Sequence, residues 1–108
     1  MTSARVDSTV DGESTHIWVS GEIDLANAAA IEEQICAAIS SHPTSVSVDL
    51  TELTYMDSAG MRILYRLASR LRALRIVLEL IVPLDSPTRR LIELSGFESV
   101  AALRPMRA

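Results

Sequence analysis

At 108 residues, with 48% hydrophobic and 22% charged side chains, the chain has the size and composition of one folded domain, not of a disordered segment. A formal net charge of −4, with no basic tail, argues against a nucleic-acid partner and against attachment to an anionic membrane. The one cysteine, Cys36, excludes an internal disulfide, and the N-terminus lacks the apolar stretch of a signal peptide, so the chain is expected to be cytoplasmic.

In chain order, residues 5–10 and 15–20 predict two short strands in a hairpin about Asp11-Gly12, with Ile17 and Val19 sharing one face. Gly21 is expected to end the second strand, and Asp24 to cap a helix over residues 25–41 in which Ala28, Ile31, Ile35 and Ile39 recur at helical spacing. Pro43 stops that helix. Val46, Val48 and Leu50 predict an interior strand, and the following residues read as a loop up to Asp57. Gly60, Leu64, Leu67, Leu71 and Leu74 form the inward stripe of a second long helix.

Residues 76–82 are almost wholly apolar and end at Pro83, the pattern of a strand covered on both faces. Ser86-Pro87 opens a third helix, as a capping residue followed by proline at the first helical position. Gly96 closes it, with Phe97 expected to pack back onto Leu94 or nearby, and residues 100–103 predict a last short strand. A hairpin followed by alternating strands and helices gives an α/β fold, a mixed, largely parallel sheet flanked by helices, with one domain over residues 1–108 and its core at about 5–103. Function in such sheets gathers at the carboxyl ends of the parallel strands. The segments at 21–24 and 51–57 are expected to meet there.

The segment Tyr55-Met56-Asp57-Ser58-Ala59-Gly60 stands out at the start of the second long helix. Asp57 can cap it, leaving the Ser58 hydroxyl in the first turn and facing solvent. A phosphate on Ser58 would lie at the positive end of the helix dipole and add about −1.5 to −2 charges at neutral pH. Asp57 and Asp24 would oppose that charge. The plainer reading is a helix start and nothing more.

The chain resembles the STAS family, and within it the bacterial anti-sigma factor antagonists. The resemblance runs from about Val10 to Leu103 and rests on Gly21-Glu22-Ile23-Asp24-Leu25-Ala26, on Val48-Asp49-Leu50-Thr51-Glu52-Leu53-Thr54-Tyr55-Met56-Asp57-Ser58-Ala59-Gly60, and on Arg90-Leu91-Ile92-Glu93-Leu94-Ser95-Gly96-Phe97. It implies a protein-binding switch and not an enzyme. The unphosphorylated form binds an anti-sigma factor that is also a serine kinase, which frees a sigma factor. Phosphorylation of the serine that falls at Ser58 ends the binding, and a phosphatase resets it. ATP belongs to the kinase, so no cofactor is expected in this chain. The family's aspartate before the first helix falls at Asp24. Ala59 stands where many relatives carry a second serine, and Ala73-Leu74-Arg75 lacks the glycines common between the second helix and the next strand.

Met56 and Met61 flank the switch and offer either an adaptable contact surface or packing beneath the loop. Arg62, Arg66 and Arg70 recur every four residues on one helix face, where Arg62 can approach a phosphoryl group and the row can meet an acidic partner or only solvent. Trp18 reads as sheet-face packing and Cys36 as a packed thiol. His16 and His42 lie far apart with no further ligand at metal spacing, and neither is placed to serve as a base for a nucleophilic Ser58. A phospho-aspartate receiver would need an acidic cluster after its first strand, which the hairpin does not supply. The alternative within the fold is an accessory subunit of a transporter, or a ligand-sensing STAS module.

Overall fold

The computed structural model describes residues 3–39 and 43–106. Strands β1 (Ala4–Asp11) and β2 (Ser14–Ile23) form the antiparallel hairpin, turned by Gly12-Glu13 with Gly12 at φ 62°. Gly12 supplies the positive φ at the first turn position that the right-handed strand twist requires. Helix α1 (Ala28–Ala38) leads to β3 (Ser45–Asp49) and β4 (Leu53–Met56). Helix α2 (Ser58–Ala73), β5 (Val77–Ile81), α3 (Pro87–Leu94), a 3₁₀ turn (Phe97–Ser99) and β6 (Ala102–Arg104) complete the order.

The sheet runs β1-β2-β3-β5-β6, with β4 also paired to β2. Only the β1–β2 pair is antiparallel, so the sheet is mixed and largely parallel as expected. The long strand β2 serves two neighbours in turn: Ser14–Trp18 pairs with β3, and Gly21–Ile23 with β4, with a register shift between Gly21 and Glu22. Gly21 sits at φ 93°, and a Cβ there would run into the Ser3 carbonyl oxygen. That close approach explains a glycine inside a strand.

Thr15, Ile17 and Val19 of β2, Val46 and Val48 of β3, and Leu78 and Leu80 of β5 form the buried face beneath the helices. Ser14, His16, Trp18 and Ser20 alternate onto the other face, as the two-residue period of a strand dictates. Asp49 is buried on that side and accepts from the Thr51 N–H at 2.9 Å, while the His16 Nδ1 and Ser47 Oγ share a hydrogen bond of 2.7 Å. Phe97 is fully buried edge-on against Tyr65, with ring centroids 5.1 Å apart.

Several expectations need correction. Gly21 bends β2 but does not end it. Helix α1 begins at Ala28, because Asp24 closes a turn instead of capping: its carbonyl accepts from the Ala28 N–H at 2.9 Å and its Oδ1 from the Ala26 N–H at 2.9 Å. The last helical residue is Ala38, and the expected end of that helix, like His42, lies outside the described residues. Leu53–Met56 is a strand, not loop. Leu74 is half exposed at the end of α2, and Val77 is exposed on β5, so that strand is not covered on both faces. Phe97 packs edge-on against Tyr65, and Leu94 is largely exposed.

Candidate functional site

Two chain segments meet at the carboxyl ends of β2 and β4. Ile23 is the parallel partner of Met56, and the N–H of Asp57 donates to the Ile23 carbonyl at 3.3 Å. Upstream, the Gly21 N–H donates to the Glu52 carbonyl at 3.2 Å and the Thr54 hydroxyl to the Gly21 carbonyl at 3.0 Å. Residues 21–24 and 51–57 therefore lie side by side, as the sequence predicted. What joins them is a strand pair where the sequence suggested two loops.

From this junction α2 starts at once. Asp57 is extended (φ −102°, ψ −165°), and its Oδ1 accepts from the Ala59 N–H at 2.8 Å, the geometry of a helix N-cap. The Asp57 carbonyl accepts from the Met61 N–H at 3.2 Å, the first intrahelical bond. Ser58 is the first helical residue and is exposed, and its hydroxyl has no hydrogen-bond partner among the described residues. The first turn carries no acidic side chain. The helix start is thus an exposed hydroxyl among backbone donors at the positive end of a 16-residue dipole.

The other predicted site residues divide into an exposed and a buried set. Arg62 is exposed and sits four residues beyond Ser58, hence on the same side of α2. Asp24 is half buried in the turn before α1, and the Asn27 side chain braces this turn by accepting from the Asp24 N–H at 3.0 Å and donating to the Glu22 carbonyl at 2.8 Å. Ala59 and Gly60 are buried. A Cβ on Gly60 would overlap the Met56 side chain, so this glycine lets the first turn of α2 settle onto β4. Met56 and Met61 are 7% and 6% exposed. They form the floor beneath the site, the packing arrangement of the two that the sequence left open.

The arginine row is also divided. Arg66 grips Glu32 of α1 through Nε–Oε2 and Nη2–Oε1, each at 2.7 Å. That two-pronged bond holds the Glu32 carboxyl below its usual range and raises the Arg66 guanidinium. Arg66 therefore ties α1 to α2 and is not a spare cation. Beside it runs an apolar groove of about 390 Å³ lined by Ile35, Cys36, Ile63 and Leu67. Among the described residues no group of three or more His, Cys, Asp or Glu side chains is placed to hold a metal ion, and no helix is long and apolar enough to cross a membrane.

Sequence reasoning missed an apolar element of this edge. Leu25 is 79% exposed just after Asp24, Tyr55 is 49% exposed on β4, and Leu84 is 70% exposed in the turn after β5, which also leaves the sheet at its carboxyl end. Single large apolar residues in turn-rich segments are the only sequence signal they give.

Comparison with known proteins agrees with this architecture. Residues 5–107 match the model of the STAS domain family. The anti-sigma-F factor antagonist RsfB of Mycobacterium tuberculosis is 34% identical over 85 residues, 79% of this chain and 68% of that protein. The crystal structure of an anti-sigma factor antagonist from Mycobacterium paratuberculosis is 28% identical with a TM-score of 0.81, over 96% of this chain and 87% of that one. The unphosphorylated form of the anti-sigma factor antagonist SpoIIAA shares the fold at 22% identity and a TM-score of 0.66, over 98% and 89% of the two chains.

Proposed function

The chain belongs to the STAS domain family, and we propose that within it this protein is an anti-sigma factor antagonist switched by phosphorylation of Ser58. The unphosphorylated form binds an anti-sigma factor with serine-kinase activity, and so releases a sigma factor. The kinase brings its own ATP. Phosphorylation of Ser58 ends the complex, and a phosphatase restores it.

The observation that carries this reading is the exposed Ser58 hydroxyl at the start of α2, fixed in place by the Asp57 cap and by the bond from Asp57 to β2. A kinase can reach this hydroxyl without unfolding the helix. The helix dipole and Arg62 tolerate the phosphate locally. A partner surface matched to the unmodified site meets about −1.5 to −2 of added charge beside Asp57 and Asp24, which opposes rebinding. Leu25, Tyr55 and Leu84, each exposed, supply apolar anchors for that partner.

The test is a competition measurement with the anti-sigma factors of the source organism, each holding a labelled sigma factor. One of them is expected to bind the unmodified chain and release its sigma factor. Failure of all of them to bind, with each competent for its own sigma factor, would reject the reading and favour a transporter-associated or ligand-sensing module.

A further inference from the structure

Strand β1 is an edge of the sheet, and nothing among the described residues covers its outer side. It is eight residues long, contains neither proline nor lysine, and pairs with β2 without a bulge from Ala4 to Asp11. Short length, proline and bulges, three devices that normally protect edge strands, are missing here, and the protection that remains is the charge of Arg5, Asp7 and Asp11. We propose that β1 pairs antiparallel with β1 of a second copy of this chain across a twofold axis, with Arg5 opposite Asp11 of the partner subunit, joining the two sheets into one.

Backbone geometry fixes which groups are available. Asp11 and Ser14 flank a two-residue turn, so they form a hydrogen-bonded pair, and such pairs alternate along the ladder. The Glu22 N–H bond to the Ser3 carbonyl, 2.9 Å, gives the same parity at the other end. Odd-numbered residues of β1 therefore spend their backbone groups on β2. Ala4, Val6, Ser8 and Val10 present theirs outward.

Electrostatics then selects the register. Centring the twofold on Ser8 sets Ser8 against itself, Val6 against Val10, Asp7 against Thr9 and Arg5 against Asp11. Each outward-facing pair exchanges both of its N–H···O bonds. Each copy contributes one Arg5–Asp11 contact, for which Arg5 turns from the exposed ion pair it makes with Asp7 at 3.0 Å in the single chain. A shift of the axis to Asp7 sets two aspartates face to face, and a shift to Val6 leaves only residues 4–8 in the pairing. In the chosen register Val6 and Val10 fall on the helix-covered side with Val19 and Thr15, so the 61% exposed Val10 gains an apolar neighbour. The pairing involves neither β4 nor α2, so Ser58 stays accessible in the dimer.

The test is sedimentation velocity on the full chain over a concentration series reaching the high-micromolar range. A reversible monomer–dimer equilibrium is expected, because a single strand edge is a small interface. Ser8→Pro removes an outward N–H at the centre of the pairing and no bond to β2, and is expected to weaken dimerisation at least about tenfold. Arg5→Glu should weaken it as well, and the double variant Arg5→Glu with Asp11→Lys should restore it. The charge series decides the matter if Ser8→Pro folds poorly. A chain monomeric throughout, or a dimer of unchanged affinity across the charge series, overturns the proposal.

Discussion

The N–H of Asp57 donates to the carbonyl of Ile23, 34 residues earlier, while the Asp57 carboxylate holds the Ala59 N–H. One residue thus ends β4, fastens it to β2 and starts α2. Ser58, the next residue, inherits a fixed position from bonds that its own side chain does not make. On the proposed reading, a phosphate there would change the charge of the surface without removing either of these bonds.

The first consequence concerns binding. Ser58→Ala is expected to keep the affinity of the unmodified chain for its anti-sigma partner. Ser58→Asp and Ser58→Glu should weaken it by about tenfold or more, since each adds a negative charge beside Asp57 and Asp24. Calorimetric titration of the three variants checks this, and equal affinities would remove the electrostatic explanation.

A second concerns the cap. Asp57→Ala should cost about 1 kcal/mol of folding stability, and Asp57→Ser should recover most of it, because serine also accepts from the first-turn amides. Urea unfolding of both variants measures the difference. Equal losses in the two would mean that the carboxylate acts by something other than capping.

Arg75 offers a third. It is the sole non-glycine residue with positive φ among those described, at 60°. The end of α2 explains why: the Ile76 N–H donates to the Leu71 carbonyl at 2.8 Å and the Arg75 N–H to the Arg72 carbonyl at 3.0 Å, the Schellman pattern, in which Arg75 takes the position that favours glycine. Arg75→Gly should therefore stabilise the fold by up to about 1 kcal/mol, the relief of left-handed strain less the entropy glycine loses. A lower melting temperature for this variant would contradict the assignment.

The Glu32–Arg66 pair gives a pH signature. The arginine lowers the folded-state pKa of Glu32, so the stabilisation is present above the ordinary glutamate value of 4.5 and is lost as pH falls through the lowered folded value. The gap in melting temperature between the parent chain and Glu32→Gln should be steady from neutral pH to about 5 and then narrow in more acid solution. Both side chains are partly exposed, so added salt should also shrink the gap. A gap independent of pH would show that packing, not charge, accounts for it.

Much of this architecture is legible in the residues themselves. The caps at Asp57 and Ser86 and the glycine stop at Gly96 are local chemistry and fall where the sequence puts them, while the hairpin turn lies one residue on from Asp11-Gly12, at Gly12-Glu13. What escaped depends on contacts between distant residues. Leu53–Met56 is too short to show a period, and it becomes a strand only because β2 continues past Gly21 to receive it. Asp24 satisfies the grammar of a cap, yet the turn braced by Asn27 uses it otherwise. The exposure of Leu25, Tyr55 and Leu84 depends on where their segments leave the sheet, which no local pattern gives. The missing glycine at Arg75 was visible as an oddity, and the structure gives it a physical meaning.

The most direct measurement is intact-mass spectrometry after incubation with ATP and each anti-sigma kinase of the source organism, followed by mapping of the modified residue. A single added phosphate on Ser58, absent in Ser58→Ala, is the predicted result. No phosphate from kinases shown to be active, or one placed on another residue, would contradict the switch at the start of α2.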